Sequence, residues 1–220
     1  MKFSVFIHAT NLLVDKFGVD NKDHCQQILN QIEQYMLESE IYKDADNIFL
    51  EIQGHQEKVI KFNVPNSTIN YNGRHAHDWE FPTLNKIREY SSNNPSNSVL
   101  YIHTQGVSYQ TTKLIEDRRE YLLYWNVTNY KKCLEFLKTN DTCGAMLIGD
   151  PVKHYSQNFW WANCNHINTL PDPSTMTPVF DLRHNAEFWV CSRNEGKYST
   201  INNLYNHYVG ADDFSKEKYR

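Results

Sequence analysis

Apolar positions along this chain switch between a two-residue and a 3.6-residue period. Phe3–His8 opens as an apolar strand, and after a polar turn Ile28, Leu29, Ile32, Tyr35 and Met36 recur at helical spacing, with N-cap candidates at 20–23. "NIFLEIQG" (Asn47–Gly54) and "KVIKFNV" (Lys58–Val64) read as short strands, one closed by Gly54 and the other by Pro65. The Asn-rich "NSTINYNGRHAHD" that follows, 66–78, reads as a loop.

Helical spacing returns from Phe81 to Tyr90, where Pro82 fits a first turn, and "SSNNPSN" ends it before a strand at Val99–His103. The longest amphipathic segment runs from about Ile115 to Lys138, and a further strand is expected in "CGAMLIG". Strands alternating with helices of this length predict an α/β fold: a Rossmann-related, three-layer sandwich with a central, mostly parallel mixed sheet flanked by helices. One domain over residues 1–220 is expected.

Composition narrows the function classes. The 220 residues are 40% hydrophobic and 14% aromatic, which excludes disorder, and the formal charge of −4 offers no footprint for a nucleic-acid backbone. No apolar run approaches the roughly 18 residues of a transmembrane segment. Five cysteines without CxxC spacing fit reduced thiols in a cytoplasmic compartment. Walker A, GxGxxG, HExxH and GxSxG patterns are all missing.

The stretch "YIHTQG", Tyr101 to Gly106, ends a buried-looking strand in His103-Thr104 and hands over to a glycine. In open α/β sheets ligands bind beyond the carboxyl ends of the strands, so His103, Thr104 and Gly106 are candidate site residues, with a hydrogen-bonded strand-end histidine as the plain alternative. Downstream come a helix with Arg118-Arg119, then "HYSQNFWWA" (154–162) and "RHNAEFW" (183–189), with a weaker "WEFPTL" at 79–84.

In that order these motifs resemble the small glycosyltransferases of the GT-A type encoded by large DNA viruses, chlorella viruses among them, and by bacterial polysaccharide clusters. That family's pattern runs YIHTKG, a helix opening near WR, HFSGNFWWA and AEFW. Gln105, Gln157 and Asp117 stand here where it has lysine, glycine and tryptophan, and a neutral Gln105 amide cannot neutralise a diphosphate.

The resemblance implies transfer of a sugar, hexosyl or deoxyhexosyl, from a nucleotide-diphosphate donor of UDP type to a glycan or glycoprotein acceptor, assisted by Mn²⁺ or Mg²⁺. It implies donor contacts from Glu80, His103, Thr104, Gly106 and Arg118, a metal near His103 and His154, and acceptor contacts from Ser156, Asn158, Trp160 and Trp161; His8, at the end of the first strand and outside the resemblance, is a further donor candidate, with a structural histidine as the plain alternative. Glu187 is the candidate catalytic carboxylate, with Asp150 as a second; Asp150 also reads as a turn residue. Donor binding is expected from about 1–115 and the acceptor side from about 116–220. Asp44-Ala45-Asp46, the literal Asp-x-Asp, precedes a strand and so lies at its wrong end. A carbohydrate-binding module without catalysis and a two-carboxylate glycoside hydrolase are the rival readings.

Overall fold

A computed structural model describes residues 1–11, 23–54, 59–72, 78–108, 112–203 and 214–220. Strand β1 (Phe3–Asn11) lies inside a seven-stranded sheet, third from one edge. It is followed by helix α1 (His24–Glu38), the short α2 (Ile41–Asp44), β2 (Asn47–Gly54) and β3 (Ser67–Tyr71). Helix α3 (Phe81–Asn93) leads to β4 (Ser98–His103), and α4 (Lys113–Leu123), a π-helical turn (Tyr124–Thr128) and α5 (Tyr130–Phe136) lead to β5 (Thr142–Ala145). The remaining elements are a small hairpin β6 (Leu147–Ile148) and β7 (His154–Tyr155), then β8 (Trp160–Asn163), α6 (Cys164–Ile167), α7 (Asn185–Phe188) and β9 (Tyr198–Asn202).

The strand order is β3-β2-β1-β4-β8-β5-β9. All neighbours are parallel except β8, which runs antiparallel to both β4 and β5. The protein is therefore an α/β sandwich around a mostly parallel mixed sheet. Because β1 is buried on both faces, it reads as a nearly continuous apolar run. Val5, Ile7 and Ala9 pack with Cys25, Ile28, Leu29 and Ile32 of α1, whereas Phe6, Val99 and Tyr101 pack with Leu84 and Ile87 of α3. Each such buried aliphatic side chain contributes about 1.5–3 kcal/mol.

Three sequence expectations are corrected. Residues 59–64 form no strand: Ile60, Phe62 and Val64 are buried in alternation, but the backbone is held by side chains of α1. Gln26 brackets Lys61, accepting from its N–H at 2.8 Å and donating to its carbonyl at 2.7 Å, and Glu33 accepts from the Asn63 N–H at 2.7 Å. The sheet's third strand comes instead from the Asn-rich stretch, as the exposed edge strand β3.

The long amphipathic segment is not one helix. At the π-turn, Asn126 Nδ2 donates to the Leu122 carbonyl and Trp161 Nε1 to the Asn126 carbonyl, both at 2.9 Å, so both of these carbonyls are satisfied. "CGAMLIG" splits into β5 and β6 around Met146, whose φ is 59°. Cap candidates 20–22 and position 58 lie outside the described residues; Asp23 holds the cap position of α1 without a side-chain cap bond. All five cysteines are buried and none is in a disulfide, and among the described residues no helix is long and apolar enough to cross a membrane.

Candidate functional site

From β1 the chain moves outward to β2 and β3 on one side, then returns to β4 on the other, with α1 and α3 on opposite faces. The crevice beyond the carboxyl ends of β1 and β4 is thus the topological switch point of the sheet. His8 and His103 are register partners there. The register continues outward through Glu51 on β2 and Asn70 on β3, so one polar row crosses four strands on the α3 face.

Helix α3 closes that row in three-residue steps. Glu80 Oε1 lies 3.8 Å from His103 Nδ1, Thr83 Oγ1 is 2.8 Å from His8 Nδ1, and Lys86 pairs with Glu51. Glu51, 1% exposed, also accepts from Asn70 at 2.8 Å and Asn72 at 2.7 Å. Burial pushes the His8 imidazole down to about 4 against the pull of Glu80, so it is neutral at physiological pH.

Glu80 holds the N-cap position of α3 without capping it, because its side chain turns inward. Tyr101 Oη donates to Glu80 Oε2 at 2.6 Å and Asn158 Nδ2 donates to the same oxygen at 2.5 Å. Burial pushes this carboxyl up, but His103 and those two hydrogen bonds outweigh it and hold it below the ordinary carboxylate range. Gln157 and Asn158 take φ of 66° and 56°, a left-handed turn that Asn tolerates well. The turn aims the Gln157 carbonyl at His103 Nε2, 2.8 Å away, and Asn158 Oδ1 at the Trp160 indole N–H, 2.7 Å away.

Glu187, on α7, is the opposite case. Its half-buried carboxylate has no hydrogen-bond partner among the described residues. Burial first and then the charge of Glu80 push its pKa up, only partly offset by His154, His103 and His184. Two carboxylates within electrostatic reach, one saturated and ionised and the other bare and easily protonated, are equipped for different tasks.

The structure brings His8, Glu80, His103, Asn158 and Glu187 together, and it corrects several other assignments. Trp160 and Trp161 do point to opposite sheet faces, but both are 0% exposed, so neither offers a ring to a ligand. Ser156 is buried, and its N–H donates to the Met146 carbonyl. The Thr104 hydroxyl, also buried, accepts from the Thr10 N–H at 3.2 Å and ties β1 to β4. Gly106 is required by its backbone: φ is +89° and a Cβ would stand 2.6 Å from Ile115 Cγ2.

Arg118 lies over the Phe214 ring at 5.2 Å. Its neighbour Arg119 is the one that reaches the end of β4, donating to the Gln105 carbonyl at 2.9 Å and to Gln31 at 2.5 Å. Asp150 is exposed in the turn between β6 and β7, before a cis proline, and bonds to none of the crevice residues. Asp44 accepts from the Tyr130 hydroxyl at 2.5 Å, before β2 begins.

Among the described residues, the donor set does not fit metal ligation. Among the described residues no group of three or more His, Cys, Asp or Glu side chains is arranged to hold an ion. His103 Nε2 is engaged by Gln157, and His154 Nδ1 by the Val152 carbonyl at 2.7 Å. Sequence reading named Arg119 beside Arg118 but missed Glu51, Thr83 and Lys86; Thr83 stands in "WEFPTL", and the three-residue spacing of 80, 83 and 86 was the visible signal for Thr83 and Lys86. A separate polar groove of about 300 Å³ lies between α1 and α4, lined by Gln27, Gln31, Glu116 and Arg119 among others.

No curated protein matches the sequence. Among solved structures, 4-diphosphocytidyl-2C-methyl-D-erythritol synthase from Anaerococcus prevotii is similar at a TM-score of 0.46 and 14% identity, over 98% of this chain and 94% of that one. Rv0371c of Mycobacterium tuberculosis in complex with manganese gives 0.43 and 6%, over 92% and 89%. At these values the likeness says nothing about chemistry. Residues 12–219 match the family described as a domain of unknown function, DUF8361, and the chain belongs to it.

Proposed function

We propose that the chain is a glycosyltransferase that binds a nucleotide-diphosphate sugar, of UDP type, at the β1–β4 switch point and passes the sugar to a glycan hydroxyl. One observation carries the reading: two carboxylates of opposite protonation tendency, Glu80 and Glu187, share that crevice with His8 and His103. The "HTQG", "NFWWA" and "AEFW" resemblance supplies the reaction class. The part from about 1–115 holds the donor and the part from about 116–220 the acceptor.

Glu187 acts as the general base. It takes the proton of the acceptor hydroxyl, the acceptor oxygen bonds to the anomeric carbon, and the bond from that carbon to the phosphate oxygen breaks. The nucleoside diphosphate leaves with the electron pair and the configuration inverts. Glu80, held ionised, and His103 orient the sugar end of the donor. His8, neutral and bonded to Thr83 and to Thr10, fixes the floor of the crevice.

Titration calorimetry with UDP, GDP and CMP, each with and without Mn²⁺, tests the reading. Binding of one nucleotide, with loss of transfer in Glu187→Gln, is the expected result. If none of the three binds under either condition, the reading gives way to a carbohydrate-binding module.

A further inference from the structure

On the segment that leads into α7 stands an arch, residues 177–183, whose root is fixed and whose crest is bare. At the root, Asn185 is 0% exposed and donates to the Pro173 and Met176 carbonyls at 3.2 and 2.9 Å, and Trp189 Nε1 donates to the Pro171 carbonyl at 2.8 Å. At the crest Val179 is 44% exposed, Phe180 65% and Leu182 39%. A protein normally covers an aromatic ring, because exposing it forgoes its burial.

The Phe180 ring is not isolated. It stands 5.5 Å from His184 and 6.2 Å from Phe188, and His154 packs edge-on against Phe188 at 5.0 Å. Asp181 fixes His184 from the solvent side, Oδ1 to Nδ1 at 2.8 Å. Aromatic rings therefore lead from solvent down to the segment that carries Glu187. His154 and His184, two of the rings in that chain, lie within electrostatic reach of the Glu187 carboxylate.

We propose that this arch is the acceptor platform: Phe180, flanked by Val179 and Leu182, takes the apolar C–H face of a pyranoside and delivers one of its hydroxyls to Glu187. The inference rests on the transferase reading and names its second substrate as a ring sugar. Three exposed apolar side chains fall within four consecutive residues, and Asp181 and Arg183 on the arch, with His184 next to it, are polar groups for the ring's other hydroxyls. The buried Trp160 and Trp161 cannot serve this purpose.

The test uses the full chain with two separable readouts: release of nucleoside diphosphate to water, and transfer to a panel of methyl glucoside, galactoside, mannoside and rhamnoside. Phe180→Ala and Leu182→Ser are exposed changes, and thermal melts establish that they fold. A rise of at least tenfold in the KM of the best glycoside, with donor KM and hydrolysis unchanged, is expected. An unchanged glycoside KM overturns the platform and leaves the transferase reading intact.

If the wild type releases no nucleotide from any donor, the transferase reading falls, and saturation-transfer NMR with the same glycosides decides about the arch alone. A saturation signal that vanishes in Phe180→Ala upholds sugar binding there, and identical spectra overturn it. Sedimentation of a dimer that Phe180→Ala dissociates also overturns it, since the crest would then be a self-association surface.

Discussion

Glu80 and Asn158, 78 residues apart in sequence, meet at 2.5 Å beside the end of β4. Asn158 donates with its amide nitrogen to the carboxylate and accepts with its oxygen from the Trp160 indole, so its side chain is fixed in one sense only. A left-handed backbone and two fixed partners, one half-buried and one buried, together explain why this position calls for Asn.

Asn158→Asp places a second carboxylate against Glu80. Breaking a buried charged network in this way costs about 3–5 kcal/mol at neutral pH. Urea unfolding should register that loss at pH 7 and a smaller one at pH 4.5, where one of the two carboxyls takes up a proton. A pH-independent loss would mean that the turn, not the charge, sets the cost.

His8 gives the protein an acid-sensitive element. Its folded pKa is depressed from 6.5 to about 4, so the unfolded chain binds the proton first and stability falls as pH drops through that window. A shift of that size corresponds to about 3 kcal/mol. His8→Asn should flatten the wild-type slope between pH 6.5 and 4. Glu80, whose pKa is lowered, adds a loss only at more acid pH, as pH falls through its own folded value.

Glu187 should titrate above the ordinary carboxylate value of 4.5, because burial and Glu80 both disfavour its charge. Carboxyl-detected NMR reads this directly, and the acid limb of kcat/KM follows it. Glu80→Gln removes the repelling charge and should move both downward. A limb that stays in place in Glu80→Gln would mean that the two carboxylates are not coupled.

Gly106→Ala meets two obstacles at once, the positive φ and Ile115 Cγ2 at 2.6 Å. Together they should cost about 1–3 kcal/mol. Adding Ile115→Ala removes the collision and leaves the backbone strain, so relative to Ile115→Ala alone the glycine change should cost less but not nothing.

Trp161→Phe should act on stability alone. It removes the N–H that satisfies the Asn126 carbonyl in the π-turn, a loss of about 1–3 kcal/mol. Glycoside binding should not change, since the ring is buried against Phe3 at 5.1 Å on the face away from the crevice. A selective change in acceptor KM would return this tryptophan to the site.

The central strands were legible because β1, β2 and β4 are covered on both faces and so appear as apolar runs with β-branched residues. Residues 59–64 misled because alternate burial looks the same whether an extended backbone bonds to a strand or to Gln26 and Glu33. Strand β3 was invisible for the converse reason: Ile69 and Tyr71 are 36% and 39% exposed at a sheet edge, with no apolar face to display. In the site, His103, Glu80 and Asn158 stand in motifs and were readable. Glu51 and Lys86 sit in ordinary charged sequence and are joined only by folding. The tryptophans were over-read because aromatic identity carries no information about exposure.

Strand β8 has a consequence for the order in which this molecule assembles. Running antiparallel between β4 and β5, it is, among the described residues, the only sheet link between β1–β4 and the β5–β9 pair. Residues 1–103 therefore supply four contiguous strands whose open side, along β4, stays unsealed until residues 160–163 leave the ribosome. During synthesis that bare edge is an aggregation-prone surface, and Trp160-Trp161 belongs to the segment that closes it.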